Sequence, residues 1–199
     1  MDNIDYSRFY LLNDPHLRSA LRLNMADFSV YREKLFTGEI TAPSPVLMYG
    51  YMGGPPKDFL WGSGLGTTCI SQKVVNLLTD GHFTGWGTYP VEVYDRKDKL
   101  LQGYYGLIVK PFVGKWIFRP ESIIDKPPRV PGAIPWKAYQ GVSFDPKSWD
   151  GSDICRIQRT HLVVTQRLYE ALVKERITNI EMTHITEAEF DVQTVTSIS

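Results

Sequence analysis

The chain of 199 residues contains two stretches built on the same plan, 94 positions apart. Ser71 and Thr165 open the two stretches, and Thr84 and Thr178 follow them at the same offset. A repeated supersecondary unit specifies a scaffold, whereas chemistry has to be argued from particular sites. The repeat therefore predicts two similar strand–helix–strand units before it says anything about function.

Each stretch carries the signals of a helix that begins after a short strand. Ser71 and Thr165 are good helix N-caps, because a hydroxyl oxygen can accept from the free N–H groups of the first turn. The apolar residues that follow recur at the three- and four-residue spacing of one helix face. They are Val74, Val75, Leu77 and Leu78 in the first unit, and Leu168, Ala171, Leu172 and Val173 in the second. Since such a helix needs a sheet to cover its apolar face, we predict an α+β fold with a mixed or antiparallel sheet and few helices.

The length is typical of one domain, and we interpret residues 1–199 as a single domain. It would have an irregular N-terminal part (1–45) and two related units, at about 46–125 and 136–190. A proline-rich connector joins the units, because neither a packed helix nor a packed strand tolerates so many prolines. A tryptophan followed by a Gly-Ser pair lies upstream of each unit, at Trp61 and Trp149, and we take these two as counterparts.

Composition restricts the function classes. Lysine plus arginine and aspartate plus glutamate both number 22, so the chain lacks the basic excess of a broad nucleic-acid binder. Cys69 and Cys155 have β-type neighbours and are interpreted as small buried residues, which is typical of a reducing compartment. The first residues carry acids without an apolar run, and no apolar stretch approaches the ~20 residues of a membrane span. We expect a cytoplasmic protein that does not bind membranes.

No catalytic, metal or cofactor motif accompanies the repeats. The segment Gly62–Gly66 has the spacing G-x-G-x-G and precedes a strand, unlike a dinucleotide-binding loop. The densest acidic group, Asp145, Asp150 and Asp153, is better explained by turns than by catalysis, because no basic partner lies nearby in sequence. We predict no cofactor and no metal. The alternative function is a small hydrolase or modifying enzyme that uses these three carboxylates, which would then lie in a concave pocket with raised pKa values.

Several longer runs resemble a known bacterial family. Residues 71–78, 84–95, 103–107 and 149–153 together resemble the immunity proteins of polymorphic-toxin systems, typified by a myxobacterial immunity-protein domain that was formerly a domain of unknown function. Trp149 to Asp153 meets the family pattern W-x-G-S-D, while the first unit departs from it with Gly64 in place of the aspartate. The resemblance covers about 46–185. It implies a non-enzymatic cytoplasmic protein that binds and neutralises a cognate toxin encoded by a neighbouring gene.

The candidate partner-binding residues are aromatic and acidic side chains near the ends of predicted strands, where we expect them to be exposed. Loops and strand ends carry binding function more often than element interiors do. The residues are Tyr49, Tyr51, Trp61, Tyr104, Asp150 and Asp153.

Overall fold

The computed structural model describes residues 4–26, 31–42, 44–62, 67–158 and 161–196. The first three residues and most of the glycine-rich segment, 63–66, lie outside these ranges. Four α-helices and fourteen β-strands lie within the described residues. In chain order they are β1 (Phe9–Asn13), β2 (Arg22–Met25), α1 (Tyr31–Thr37), β3 (Val46–Met52), β4 (Phe59–Leu60), β5 (Cys69–Ser71), α2 (Gln72–Asp80), β6 (Trp86–Tyr94), β7 (Leu100–Leu101), β8 (Tyr104–Val109), β9 (Ile123–Lys126), β10 (Trp136–Gln140), β11 (Ile154–Ile157), β12 (His161–Thr165), α3 (Gln166–Lys174), β13 (Glu181–His184), β14 (Glu189–Asp191) and α4 (Val192–Thr196).

The described strands form three sheets. The largest has the order β2-β3-β6-β8-β5-β4, with β7 paired to β6. A four-stranded sheet has the order β11-β12-β1-β13, and a three-stranded sheet has the order β14-β10-β9. The pairing of β3 with β6 is parallel, whereas the neighbouring β2–β3 and β6–β8 pairs are antiparallel. The predicted α+β class, with mixed and antiparallel sheets and few helices, is confirmed.

The two units have closely similar backbones around their helices. Helices α2 and α3 each contain nine residues and start directly after Ser71 and Thr165. The Ser71 hydroxyl oxygen accepts from the backbone N–H of Val74 as predicted, whereas the predicted hydroxyl cap at Thr165 is wrong, because that hydroxyl donates to Asp153 instead. Ser71 has φ −71° and ψ 160°, and Thr165 has φ −71° and ψ 159°. Beyond the helices, His82 and Arg176 both adopt the left-handed conformation, with φ values of 50° and 51°. The 94-residue repeat is therefore a repeat of structure as well as of sequence.

The second unit takes one of its strands from the N-terminal part of the chain. Strand order β4-β5-β8-β6 in the first unit corresponds to β11-β12-β1-β13 in the second. In the first unit Pro90 pairs with Tyr105, and in the second His184 pairs with Tyr10. The expectation that residues 1–45 are irregular is wrong, because this part contributes β1, β2 and α1. Local patterning does not show which distant strands a short N-terminal strand will join.

The strand correspondence between the two units also shows which residues upstream of the two helices are equivalent. Trp61 follows β4, whereas Trp149 precedes β11, the counterpart of β4. The two tryptophans are therefore not equivalent, contrary to the prediction. The residues that precede β4 and β11 in equivalent places are Asp58 and Asp153. The backbone carbonyl of each accepts from the N–H of the residue before the helix of its own unit, Ser71 at 2.8 Å and Thr165 at 2.9 Å.

The proline-rich segment is the loop of a β-hairpin. Residues 127–135 are exposed and connect β9 to β10, which pair with each other. At its tip the backbone N–H of Ala133 donates to the carbonyl of Val130 at 3.1 Å, and Gly132 has φ 83°. Proline followed by a glycine with positive φ is the arrangement of a type II β-turn. The segment thus joins two strands of the small sheet instead of linking the repeated units directly.

The helices meet in one buried cluster. Val74 and Leu78 of α2 lie in it with Leu168 and Leu172 of α3. Val173, also predicted on the apolar face, is 51% exposed. A residue next to Leu172 is rotated by about 100° around the helix axis, which carries it off the buried stripe. Both cysteines are buried and unpaired, as their neighbours predicted.

Candidate functional site: an exposed aromatic sheet face

Asp153 is buried and joins the two units. Its carboxylate accepts from the backbone N–H of Thr84 at 2.9 Å, from the Thr165 hydroxyl at 3.0 Å, and from two nitrogens of Arg167 at 3.0 and 2.6 Å. Burial alone would raise the pKa of this carboxyl, but the hydrogen bonds from Arg167, Thr84 and Thr165 together hold its pKa below the ordinary value. The prediction that Asp153 is exposed is therefore wrong. The raised pKa that the hydrolase alternative requires is not found at this residue.

Asp58 occupies the equivalent place in the first unit. Its carboxylate accepts from the backbone N–H of Thr178 at 2.9 Å, from the Thr178 hydroxyl at 2.7 Å and from the Ser71 hydroxyl at 3.1 Å. Each aspartate thus binds the threonine that follows the helix of the other unit. We call Asp58 and Asp153 the aspartate latches, because the contacts are reciprocal and hold the units together.

Each of the two helices also carries a basic side chain that reaches the C-terminal end of the other helix. Lys73 of α2 donates to the carbonyl of Glu175 at 2.7 Å, and Arg167 of α3 donates to the carbonyl of Gly81 at 3.1 Å. A cation placed at a helix C-terminus also complements the helix dipole. The two units therefore contact each other in matching ways at both helix ends.

Three other predicted residues have structural contacts. Trp61 is 9% exposed, and its indole N–H donates to the carbonyl of Asn179 at 2.6 Å. Tyr104 is half-buried and donates its hydroxyl to the carbonyl of Lys57 at 3.0 Å, and burial raises its pKa to about 12. The prediction that Trp61 is exposed is wrong, because it packs over the core edge. Asp150 is exposed, but its carboxylate accepts from the backbone N–H of Ser152 at 3.0 Å, as in an ordinary turn.

The remaining two predicted residues lie together on the solvent-facing side of the largest sheet. Leu47, Tyr49 and Tyr51 alternate along β3 and are 38%, 38% and 42% exposed. Because successive side chains of a strand point to opposite faces, these three share one face. Pairing places Tyr94 of β6 beside Tyr49, and Leu100 of β7 beside Tyr94. We call these five residues the aromatic face.

The opposite side of the same strands is packed on the core. Met48 of β3 and Val93 of β6 lie between the residues of the aromatic face in sequence, and both are almost fully buried. A sheet with one buried face normally turns polar side chains to water on the other. Leu47, Tyr49, Tyr51 and Leu100 are exposed, and the half-buried Tyr94 lies beside them. The group departs from that rule, and exposed apolar patches mark interaction sites.

One acidic side chain lies within the aromatic face. Glu92 pairs in register with Leu47, and its Oε2 accepts from the Tyr94 hydroxyl at 3.1 Å. This hydrogen bond raises the pKa of the Tyr94 hydroxyl, since it stabilises the protonated form. The rings of Tyr49 and Tyr94 are stacked, with centroids 5.5 Å apart and planes 19° from parallel. The face therefore presents tyrosine rings together with a carboxylate.

Sequence reasoning identified Tyr49 and Tyr51 and missed the rest of the face. The alternation of Leu47 with the two tyrosines was a usable signal, because residues two apart on a strand share a side. Tyr94, Glu92 and Leu100 come from other strands, and their place depends on the parallel β3–β6 pairing. Nothing local to them indicates that pairing.

Membrane-spanning helices and metal-binding clusters were looked for in the described part of the chain. Among the described residues, no helix is long and apolar enough to cross a bilayer. The same part of the chain contains no group of three or more His, Cys, Asp or Glu residues in a metal-binding arrangement.

Comparison with known proteins does not assign the chain to a family. No model of a known protein family matches the chain, and a search of curated proteins finds no match.

Proposed function

We propose that this protein is a cytoplasmic immunity protein that binds a cognate toxin and neutralises it without catalysis. The observation that carries the proposal is the aromatic face, an exposed group of large apolar side chains on a rigid sheet. Tyrosine is enriched at binding hot spots because it buries a large area at a low cost in conformational entropy. The resemblance of the repeated units to polymorphic-toxin immunity proteins supplies the kind of partner.

The rigidity of the support favours binding by a preformed surface. Met48 and Val93 anchor the two central strands in the core, and Tyr49 and Tyr94 are stacked on each other before any partner arrives. A preorganised surface loses little side-chain entropy on association, so more of the contact free energy appears as affinity. Neutralisation would then follow from occupying the toxin surface.

Co-expression tests the proposal. The toxic product of the neighbouring gene is expressed in bacteria with and without this chain, and growth is measured. The wild-type chain should restore growth, and the two proteins should co-purify as a complex. The Tyr49→Ala/Tyr51→Ala double variant should lose both effects while remaining folded by circular dichroism. Val173→Ala removes another exposed apolar side chain, on α3, and is the control, which should rescue growth fully.

Two results would contradict the proposal. One is failure of the wild-type chain to protect cells or to bind the neighbouring product. The other is full protection by the double tyrosine variant, which would remove the aromatic face from the function.

A further inference from the structure

The aromatic face combines ring faces with an acidic group. Tyr49 and Tyr94 present stacked rings, and the Glu92 carboxylate lies within hydrogen-bond distance of the Tyr94 hydroxyl. Among the described residues, no lysine or arginine forms an ion pair with the half-buried Glu92, although other surface carboxylates such as Glu189 and Asp191 do have such partners. The negative charge of the face is thus left for a partner to neutralise.

This arrangement favours a cation with a planar, weakly hydrated head. Cations bind over aromatic rings, and a carboxylate beside the rings adds a charge-assisted hydrogen bond. Arginine fits better than lysine, because its guanidinium both stacks on rings and donates in a plane to a carboxylate. Leu47 and Leu100 flank this position in the sheet register, where they can cover the aliphatic part of a long side chain.

We infer that the aromatic face recognises an arginine side chain on the surface of its protein partner, with the guanidinium held against Glu92, Tyr49 and Tyr94. The inference rests on the proposed function and specifies the chemistry of the partner. It also assigns different tasks to the residues: Tyr51, Leu47 and Leu100 provide apolar contact, while Glu92 provides selectivity for positive charge.

A peptide titration tests the chemistry without any toxin. The probe is the capped tripeptide acetyl-Leu-Arg-Leu-amide, and the matched probe replaces arginine with citrulline, which keeps the shape and removes the charge. Binding is followed by NMR of the wild-type chain with isotope-labelled tyrosine. We expect the arginine peptide to shift the Tyr49 and Tyr94 ring signals, and the citrulline peptide to bind about tenfold more weakly.

Variants of Glu92 distinguish the contribution of its negative charge to peptide binding from that of the tyrosine rings. Glu92→Gln should weaken binding of the arginine peptide by about tenfold and bring it near to the citrulline peptide. Glu181→Gln removes an exposed glutamate from β13 of the other unit and should leave binding unchanged. Equal binding of the two peptides, or no shift of the Tyr49 and Tyr94 signals at millimolar arginine peptide, would overturn the inference.

The same variants distinguish this inference from the proposed function. If Glu92→Gln protects cells as well as the wild type while Tyr49→Ala/Tyr51→Ala does not, the face binds the toxin but does not use an arginine. A second copy of this chain is the competing occupant. A concentration-dependent dimer in sedimentation analysis that is abolished by Glu92→Gln would assign the face to self-association and overturn the inference.

Discussion

Replacing Asp153 with alanine should lower the free energy of unfolding more than replacing its counterpart Asp58. In Asp153→Ala the backbone N–H of Thr84 and the hydroxyl of Thr165 lose their acceptor, and Arg167 loses its ion pair. Leaving buried donors without partners costs about 1–3 kcal/mol each, and breaking a fully buried ion pair costs about 3–5 kcal/mol. Because the Arg167 side chain is 54% exposed, water recovers part of this loss. We expect a loss of about 2–4 kcal/mol in the free energy of unfolding.

Asp58→Ala is the matched comparison, since it removes an aspartate from the equivalent place. Asp58 is half-buried and accepts from Thr178 and Ser71, and within the described ranges no arginine or lysine forms an ion pair with it. Its replacement should cost about 1–2 kcal/mol, because its three hydrogen bonds are neutral at the donor and partly exposed to water. Urea unfolding at pH 7, monitored by tryptophan fluorescence and far-ultraviolet circular dichroism, measures both. A loss of unfolding free energy in Asp153→Ala of less than about 1 kcal/mol, or one no larger than that in Asp58→Ala, would contradict the role given to Asp153.

The latch also predicts the direction of a pH effect. The folded pKa of Asp153 is lowered, so its contribution to stability is fully present above its unfolded value of about 3.9 and disappears as the pH falls through the folded value. The difference in unfolding free energy between wild type and Asp153→Ala should therefore be constant from neutral pH to about pH 5 and shrink below about pH 4. A difference that grows on acidification would contradict the assigned direction.

Further outcomes can be checked with the same unfolding assay. Leu168→Ala should cost about 2–5 kcal/mol, because it opens a cavity in the cluster between the helices, whereas Leu47→Ala on the exposed face should change stability by less than about 0.5 kcal/mol. Gly85→Ala should cost more than about 2 kcal/mol, because Gly85 has φ 92° and an added Cβ would lie 2.1 Å from the carbonyl oxygen of Ile154. Gly114→Ala has a similar φ of 83° with no atom near its Cβ, and should cost only the backbone strain, about 1 kcal/mol. A larger loss in Gly114→Ala than in Gly85→Ala would refute the steric argument.

The features that were predictable from sequence are those encoded over a few residues. The Ser71 cap and the apolar spacing of both helices were predictable, because capping and helical periodicity act within one or two turns. The hydroxyl cap predicted at Thr165 is wrong, because this hydroxyl donates to the distant Asp153. Tyr49 and Tyr51 were recognisable as strand residues for the same reason. Val173 was misplaced because a helix stripe is narrow and its edge is not marked by residue type.

The features that escaped prediction depend on contacts between distant segments. Asp58 binds Thr178 and Asp153 binds Thr84, and neither partnership is visible in the local pattern. Because these contacts are not visible in the sequence, Trp61 and Trp149 were predicted to be equivalent, whereas the equivalent residues are Asp58 and Asp153. Asp153 directly follows an Asp-Gly-Ser sequence typical of exposed turns, and its burial is explained by Thr84, Thr165 and Arg167, which reach its carboxylate from other elements. The small sheet was missed because its strands are short and flank a proline-rich loop.

The place of β1 determines when the protein can finish folding. Residues 9–13 lie between β12 and β13, so β1 has to wait for neighbours that are made some 150 positions later in the chain. At ribosomal rates of about 5–20 residues per second, that wait is on the order of ten seconds or more. During it both edges of the nascent strand are open to mispairing. The four-stranded sheet can therefore close only after β13 has been made, and the tandem scaffold depends on pairing between β1 and strands that are distant in sequence.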